Sequence, residues 1–210
     1  APITAETLEA LHSLGVRMLR ADGERLGLKP AFSIMDSDDV LGILREAGGT
    51  TDAKLARHWQ WTISLWKNQG LDSDGAAAAA ASDDERVAAR VMQRYEERLS
   101  AFQAVDFDDL IGLPLKLLQR DAEARARWQA TFRHILVDEY QDTNAVQYEL
   151  LKALVGENGL FTAVGDDWDV EERAHATLDQ LGLGHIGLER TIGEVSGGEG
   201  AQGAQQRGQR

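Results

Sequence analysis

The chain has 210 residues, of which 43% are hydrophobic and 27% charged, as in ordinary globular proteins with a core. Its formal net charge of -13 works against general nucleic-acid binding, because affinity for DNA comes mostly from lysine and arginine. Without cysteine the chain can form neither a disulfide nor a thiolate metal site, which fits a cytoplasmic location. No segment has the roughly 20 apolar residues of a membrane span, and no signal peptide is visible, so neither a membrane nor export is expected.

The first part of the chain predicts helices in succession. Apolar residues recur at helical spacing, with acidic or serine N-caps at several starts and glycine at several ends. We predict helices over residues 4–26, 36–47, 52–69, 82–102, 106–118 and 122–132. The acidic and alanine-rich stretch 72–81 instead predicts a variable loop.

The pattern changes at residue 135, where two short apolar runs, 135–137 and 160–164, predict buried strands. Residues 144–155 between them have helical spacing, so the unit is strand, helix, strand. A crossover of this length makes the strands parallel and the connection right-handed. Aspartates follow both strands, at the sheet edge where such folds bind ligands.

Asp138 and Glu139 directly follow the first of these strands. Adjacent strand residues face opposite sides, so one carboxylate can hold Mg²⁺ while the other orients and deprotonates an attacking water. An Asp-Glu pair after apolar residues is also common by chance. The pair alone therefore leaves both a catalytic and a purely structural interpretation open.

The longer string Val137-Asp138-Glu139-Tyr140-Gln141-Asp142-Thr143-Asn144 is more specific, and it resembles the Rep and UvrD-like superfamily 1 DNA helicases. The resemblance covers about residues 11–167. It also includes the segments 12–15, 63–68, 106–110, 117–120, 147–150 and 161–167.

The resemblance implies a predominantly helical α/β fold, with part of a RecA-like P-loop NTPase parallel sheet and a helical insertion subdomain. It implies four regions: a motor-domain helix over 1–27, an accessory subdomain over 28–105, a partial motor domain over 106–168 and a tail over 169–210. ATP and Mg²⁺ are the implied cofactors, with Asp138 as the metal ligand and Glu139 as the general base. Gln141, Asp142 and Asp166 are implied at the nucleotide site.

The sequence also departs from this family. It contains no G-x-x-x-x-G-K-[ST] loop, because none of its 21 glycines precedes a lysine. After Asp167 it continues Trp168-Asp169-Val170, where the family has a phosphate-sensing glutamine and DNA-stacking aromatics. We expect a helicase fragment, from a family that acts in DNA replication and repair, that does not hydrolyse ATP alone. A missing first strand would also leave the sheet with an exposed edge.

DNA is the expected partner, together with another helicase or repair polypeptide. Candidate DNA contacts in the helix predicted over 52–69 are Lys54, Arg57, Trp66 and Lys67, since cations and aromatic rings together can hold a strand. The resemblance implies a further contact with the DNA backbone near His12. At His12 the expectation is weakened because Ala10-Leu11 stands where the family has Thr-Phe. The alternative is a helix that packs its tryptophans in a core and leaves its basic ends in solvent.

Two other classes of protein stay open: a non-catalytic module that binds DNA or protein, and a truncated or fused gene product. The last possibility comes from the tail, where residues 181–185 and 193–199 resemble the signature segment of ABC-type ATPases. A flexible glycine-rich linker explains the same residues. We expect the last dozen residues to be disordered.

Overall fold

The computed structural model describes residues 3–5, 7–137, 140, 143–157 and 159–164, which form eight α-helices and five short strands. The helices are α1 (Thr7–Asp22), α2 (Ser37–Gly48), α3 (Ala53–Asn68), α4 (Ser73–Ala79), α5 (Asp83–Phe102), α6 (Asp109–Arg120), α7 (Ala122–Thr131) and α8 (Ala145–Val155). The strands are β1 (Ile3–Ala5), β2 (Ser33–Ile34), β3 (Ala104–Val105), β4 (His134–Val137) and β5 (Leu160–Ala163). No helix in these ranges has the length and apolar character needed to cross a membrane. The region predicted as a tail lies outside them.

The predicted helix over 4–26 is wrong at both ends. Residues Ile3–Ala5 form β1, and α1 ends at Asp22 before a 3-10 turn over Gly23–Leu26. Gly27 closes this turn in the left-handed conformation, with φ of 79°, which glycine adopts without strain. β1 pairs in parallel with β4, so residues that were predicted to begin a helix instead add a strand to the sheet.

The helices α2 to α5 enclose one hydrophobic core, built around Leu44, Trp59, Met92 and Tyr95. The predicted N-caps are confirmed, since Asp36 and Ser82 each form a capping box at the start of their helix. The predicted loop over 72–81 is wrong, because its centre is the helix α4. Asp72 caps this helix and Ala76 is fully buried in the core, which gives the alanines a surface to pack against.

A second core joins α1, α6, α7 and α8, and it includes Met18, Leu118, Leu150 and Leu154. The sheet beside it has the strand order β1-β4-β5, and both pairings are parallel. The parallel pairing of β4 with β5 confirms the prediction. The strands are less buried than predicted. Within the described residues helices cover the face that carries Val137 and Phe161, while Leu160 on the opposite face is 64% exposed.

The chain crosses twice between the elements of the two cores, at β2 and at β3. These two-residue strands form a parallel pair. Gln103, at a φ of 51°, fixes the crossing with its side-chain amide, which accepts from the Lys29 amide N at 2.8 Å and donates to the Gly27 carbonyl O at 3.3 Å. A small third core around Leu19, Phe32 and Val105 fills the space beside it.

Candidate functional site

The predicted acidic pair follows the central strand of the sheet. β4 ends at Val137, which lies in register with Ala5 of β1 and Ala163 of β5, so three strand ends coincide there. Asp138, Glu139, Gln141, Asp142 and Asp166 all lie outside the described residues. Their assigned roles therefore stay predictions. Within the described ranges, no group of three or more His, Asp or Glu side chains could hold a metal ion.

The described backbone on both sides of Asp138 and Glu139 is fixed to β5. The Val164 amide donates to the Val137 carbonyl O at 2.8 Å, and the Tyr140 amide donates to the Val164 carbonyl O at 3.0 Å. Tyr140 is buried, and its ring meets the ring of Phe161 edge-on with centroids 6.0 Å apart. The residues that flank the acidic pair in sequence are thus both hydrogen-bonded to Val164.

Beyond this segment the described residues form a backbone hydrogen bond and a helix cap. The Thr143 amide donates to the Tyr140 carbonyl O at 3.1 Å. Asn144 then caps α8: its side chain accepts from the Gln147 amide at 2.9 Å, while the Gln147 side chain accepts from the Asn144 amide at 3.0 Å. This capping box defines where the segment ends and the helix begins.

A buried charged cluster lies close to this exit. The Lys67 ammonium at the end of α3 donates to Asp106 Oδ2 at 2.6 Å and to Asp109 Oδ1 at 2.8 Å. Only 9% of the Lys67 side chain is exposed. The Tyr95 hydroxyl donates to the same Asp106 oxygen at 2.8 Å. The cluster therefore joins α3 and α5 to the start of α6.

The pKa values of the cluster follow from its burial and its charges. Burial and the nearby Asp106 charge raise the pKa of Asp109 to about 7. Burial acts against the charged forms of Asp106 and Lys67 as well. Their ion pair outweighs it, so the pKa of Asp106 is lowered and the pKa of Lys67 is raised. Burial and Asp106 also raise the pKa of Tyr95, which stays a hydrogen-bond donor.

Asn68 connects this cluster to the exit of the acidic segment. Its side-chain nitrogen donates to Asp108 Oδ1 at 3.0 Å and to the Ser64 carbonyl O at 2.9 Å. Its side-chain oxygen accepts from the Asn144 side chain at 2.7 Å. Sequence reasoning gave Asn68 and Asp108 no role. The available signal was that the segments 63–68 and 106–110 both belong to the resemblance.

The predicted DNA contacts fall into two groups. Lys54 and Arg57 are exposed on α3. Trp66 is buried in the first core, so the packing alternative is favoured for this side chain. Lys67 is buried in the charged cluster, so neither the DNA contact nor the solvated basic end predicted for it is correct. His12 is buried, and its ring lies 4.6 Å from that of Phe107. The exposed aromatic residue on α3 is Trp61, at 65%.

Comparison with known proteins now identifies the family. The model of the UvrD/REP helicase N-terminal domain matches residues 2–168, most of the chain. The chain belongs to this family. The match includes all the candidate site residues.

Curated relatives in the UvrD/REP family are helicases. The chain is 45% identical over 163 residues to the ATP-dependent DNA helicase Rep of Escherichia coli, which covers 76% of this chain and 24% of that protein. It is 38% identical over 157 residues to the ATP-dependent DNA helicase UvrD1 of Mycobacterium leprae, which covers 71% of this chain and 20% of that protein. The chain thus spans about a quarter or less of the length of these relatives.

Proposed function

We propose that this chain supplies the Mg²⁺-binding and water-activating half of the ATP site of a DNA helicase. Asp138 is the proposed metal ligand and Glu139 the proposed general base, with Gln141, Asp142 and Asp166 beside the nucleotide. The observation that carries the proposal is the string 137–144, which lies inside the family match.

The geometry around the string supports this assignment. Val137 ends the central strand of a parallel sheet, and ligands of such sheets bind at the carboxyl ends of the strands. Tyr140 and Thr143 fix the backbone beyond the acids. A metal-bound nucleotide needs this kind of preorganised support, because its hydrolysis depends on positioning and on electrostatic stabilisation.

We also propose the subdomain division that the resemblance implies. The core around Trp59 and Tyr95 draws its buried residues from 40–104, within the proposed accessory subdomain. The core around Met18 and Leu150 draws its buried residues from 18 and from 111–154, within the proposed motor domain. Two separate cores joined by a double crossing support a helical insertion into a RecA-like fold.

The sequence contains no phosphate-binding G-x-x-x-x-G-K-[ST] loop, so we expect no ATP hydrolysis by these 210 residues alone. Glu139-dependent hydrolysis by the purified chain, abolished in Glu139→Gln, would disprove that expectation. The metal assignment has a separate test. Titration with Mn²⁺, followed by its electron paramagnetic resonance signal, should show at least about tenfold weaker binding in Asp138→Asn, a difference of about 1.4 kcal/mol. Asp74→Asn, at an exposed position in α4, is the control. Equal affinities in the two variants would remove the assignment.

A DNA contact on α3 is a second candidate function. Lys54 and Arg57 are exposed one turn apart, and Trp61 follows Arg57 by four residues, so cations and an aromatic ring share one face of the helix. Such a face can hold a nucleic-acid strand by phosphate contacts and base stacking. The net charge of -13 confines any such contact to this local surface.

A salt titration with single-stranded and duplex DNA tests this surface. Lys54→Glu with Arg57→Glu should abolish binding at low salt, whereas Lys29→Glu, an exposed lysine outside α3, should weaken it far less. Lys67 is unsuitable for this test, because its replacement disturbs the buried cluster. Binding that persists in the double variant would exclude α3 as the contact.

A further inference from the structure

The Asn68 side chain forms hydrogen bonds between distant segments that the proposed chemistry does not by itself require. Its side chain is part-buried at the last residue of α3. It uses both ends of its amide, donating to Asp108 and accepting from Asn144. The partners are 40 and 76 residues away in sequence, so the contact joins three distant segments.

Asn144 is well placed to transmit this contact. It is the last residue of the string 137–144 and the N-cap of α8, and its backbone follows Thr143, which bonds back to Tyr140. The side-chain nitrogen of Asn144 donates to Asn68, while its side-chain oxygen accepts from the Gln147 amide. The two hydrogen bonds use different atoms, so the contact with Asn68 does not compete with capping of α8. Asn68 can therefore fix the cap without weakening it.

The surroundings make the contact stiff. Lys67 beside Asn68 is locked by two carboxylates, and Asp108 lies between these carboxylates in sequence. The residue after α3 and its cap also lies near α8, since a β-carbon added to Gly70 would lie 3.7 Å from Val146 Cγ2. A side chain tied to rigid neighbours positions its partner better than one on a mobile loop.

We infer that Asn68 is a positioning residue for the segment that carries Asp138 and Glu139, acting through Asn144 from the end of α3. The inference rests on the proposed function for its consequence in metal binding. The hydrogen-bond path itself does not depend on that function. Loss of the Asn68 amide removes one restraint on the Asn144 side chain. The hydrogen bond from the Thr143 amide to the Tyr140 carbonyl O then remains between Asn144 and the acidic pair.

Amide hydrogen exchange, measured by NMR on the full chain, tests the path. Asn68→Ala should speed exchange at Thr143 and Gln147 by about tenfold or more, while amides in α5 change little. Gln60→Ala is the matched control, because its side chain lies on the same helix and donates instead to the Ser37 carbonyl O and hydroxyl. It should leave Thr143 and Gln147 unchanged. An equal rise in α5 would show a general loss of stability and overturn the inference.

Asn144→Asp is a second variant in case Asn68→Ala does not fold. Aspartate caps a helix as well as asparagine but has no side-chain nitrogen to donate. It should speed amide exchange at Thr143 as much as Asn68→Ala does. The variant with both substitutions should exchange little faster than either single variant. Unchanged exchange in Asn144→Asp overturns the inference.

Mn²⁺ titration of the same variants separates this inference from the proposed function. Severalfold weaker binding is expected in Asn68→Ala but not in Gln60→Ala. Weaker binding in Asp138→Asn with none in Asn68→Ala overturns the positioning role. If Asp138→Asn binds Mn²⁺ normally, the proposed metal site fails, and the exchange rates at Thr143 and Gln147 still decide the role of Asn68.

Discussion

Replacement of Lys67 by methionine is the sharpest test of the buried cluster. Methionine has a similar length and nearly the same helix propensity, so Lys67→Met removes the charge and leaves α3 otherwise intact. The ammonium lies 2.6 Å from Asp106 and 2.8 Å from Asp109. At an effective dielectric of about 20, each pair contributes a gross attraction of about 6 kcal/mol.

Most of this attraction offsets the cost of burying the three groups. The measurable loss is therefore the cost of leaving two carboxylates buried without their cation, about 3–5 kcal/mol. Urea unfolding, followed by tryptophan fluorescence and by circular dichroism to check two-state behaviour, measures the loss. Lys54→Met is the control: it removes an exposed lysine from the same helix and should cost no more than about 0.5 kcal/mol.

The pH dependence of this loss adds a second criterion. Without Lys67 the two carboxylates can remain buried only if they are protonated, so the deficit of Lys67→Met should grow between pH 5 and 8. Asp106→Asn added to Lys67→Met should recover part of the stability, since one buried charge is removed. If Lys67→Met costs no more than Lys54→Met at pH 7, Lys67 is not the electrostatic centre of the cluster.

Two further predictions concern packing and titration. Gly15→Ala should unfold the chain or lower its free energy of unfolding in urea by well over about 1 kcal/mol, because the new β-carbon would lie 1.8 Å from the Leu110 carbonyl O. Gly42→Ala is the control: its β-carbon would meet nothing within 4 Å, so it should stabilise α2 by up to about 1 kcal/mol. Equal effects of the two substitutions would refute the close approach of α1 and α6. The pKa of Asp109 is about 7 in the folded state against an ordinary 3.8, so the folded chain binds the extra proton between these values and loses stability as pH rises through 7. The pKa of Asp108 is also raised, so this group changes stability in the same direction. At about 1.4 kcal/mol per pKa unit, the free energy of unfolding should fall by a few kcal/mol between pH 5 and 8, and Asp109→Asn should remove most of this fall. If stability depends on pH equally in Asp109→Asn and in the unchanged chain, the raised pKa of Asp109 is contradicted.

Local signals in the sequence were enough to predict most of the helices. The capping boxes at Asp36 and Ser82 involve residues three apart, so they are visible without any tertiary information. The parallel pairing of β4 and β5 followed from the length of the helix between them. The helix α4 was missed because alanine and aspartate alone do not show what a segment packs on. Its stability comes from burial of Ala76 against the core of α2 to α5.

The charged cluster could not be predicted in this way. Lys67 meets its partners 39 and 42 residues along the chain, and the sequence offered a solvated lysine or a DNA contact as its only interpretations. Asp106 and Asp109 could be seen only as acids at a helix start. A buried ion pair between distant segments depends on the tertiary fold, which periodicity and capping do not encode.

The approach of α1 to α6 shows how two separate residues combine. Pro114 inside α6 has no amide hydrogen, so the carbonyl of Leu110, four residues before it, lacks its usual helical partner. That carbonyl points at Gly15 of α1, where any side chain would clash. The proline releases the oxygen and the glycine makes room for it, which lets the two backbones pack closely. Proline and glycine each destabilise the interior of a helix. Pro114 and Gly15 together allow the close packing of α1 on α6.

The side chains of α3 face three different environments. Trp59 and Trp66 face the first core, Lys54 and Arg57 face solvent, and Lys67 and Asn68 in its last turn contact α6 and the cap of α8. Within the described residues, a shift of α3 would have to strain a buried ion pair as well as the hydrogen bond between Asn68 and Asn144. The last turn of α3 is therefore the part of this helix that is most firmly fixed to α6 and to the cap of α8, because a buried charge that loses its partner is costly.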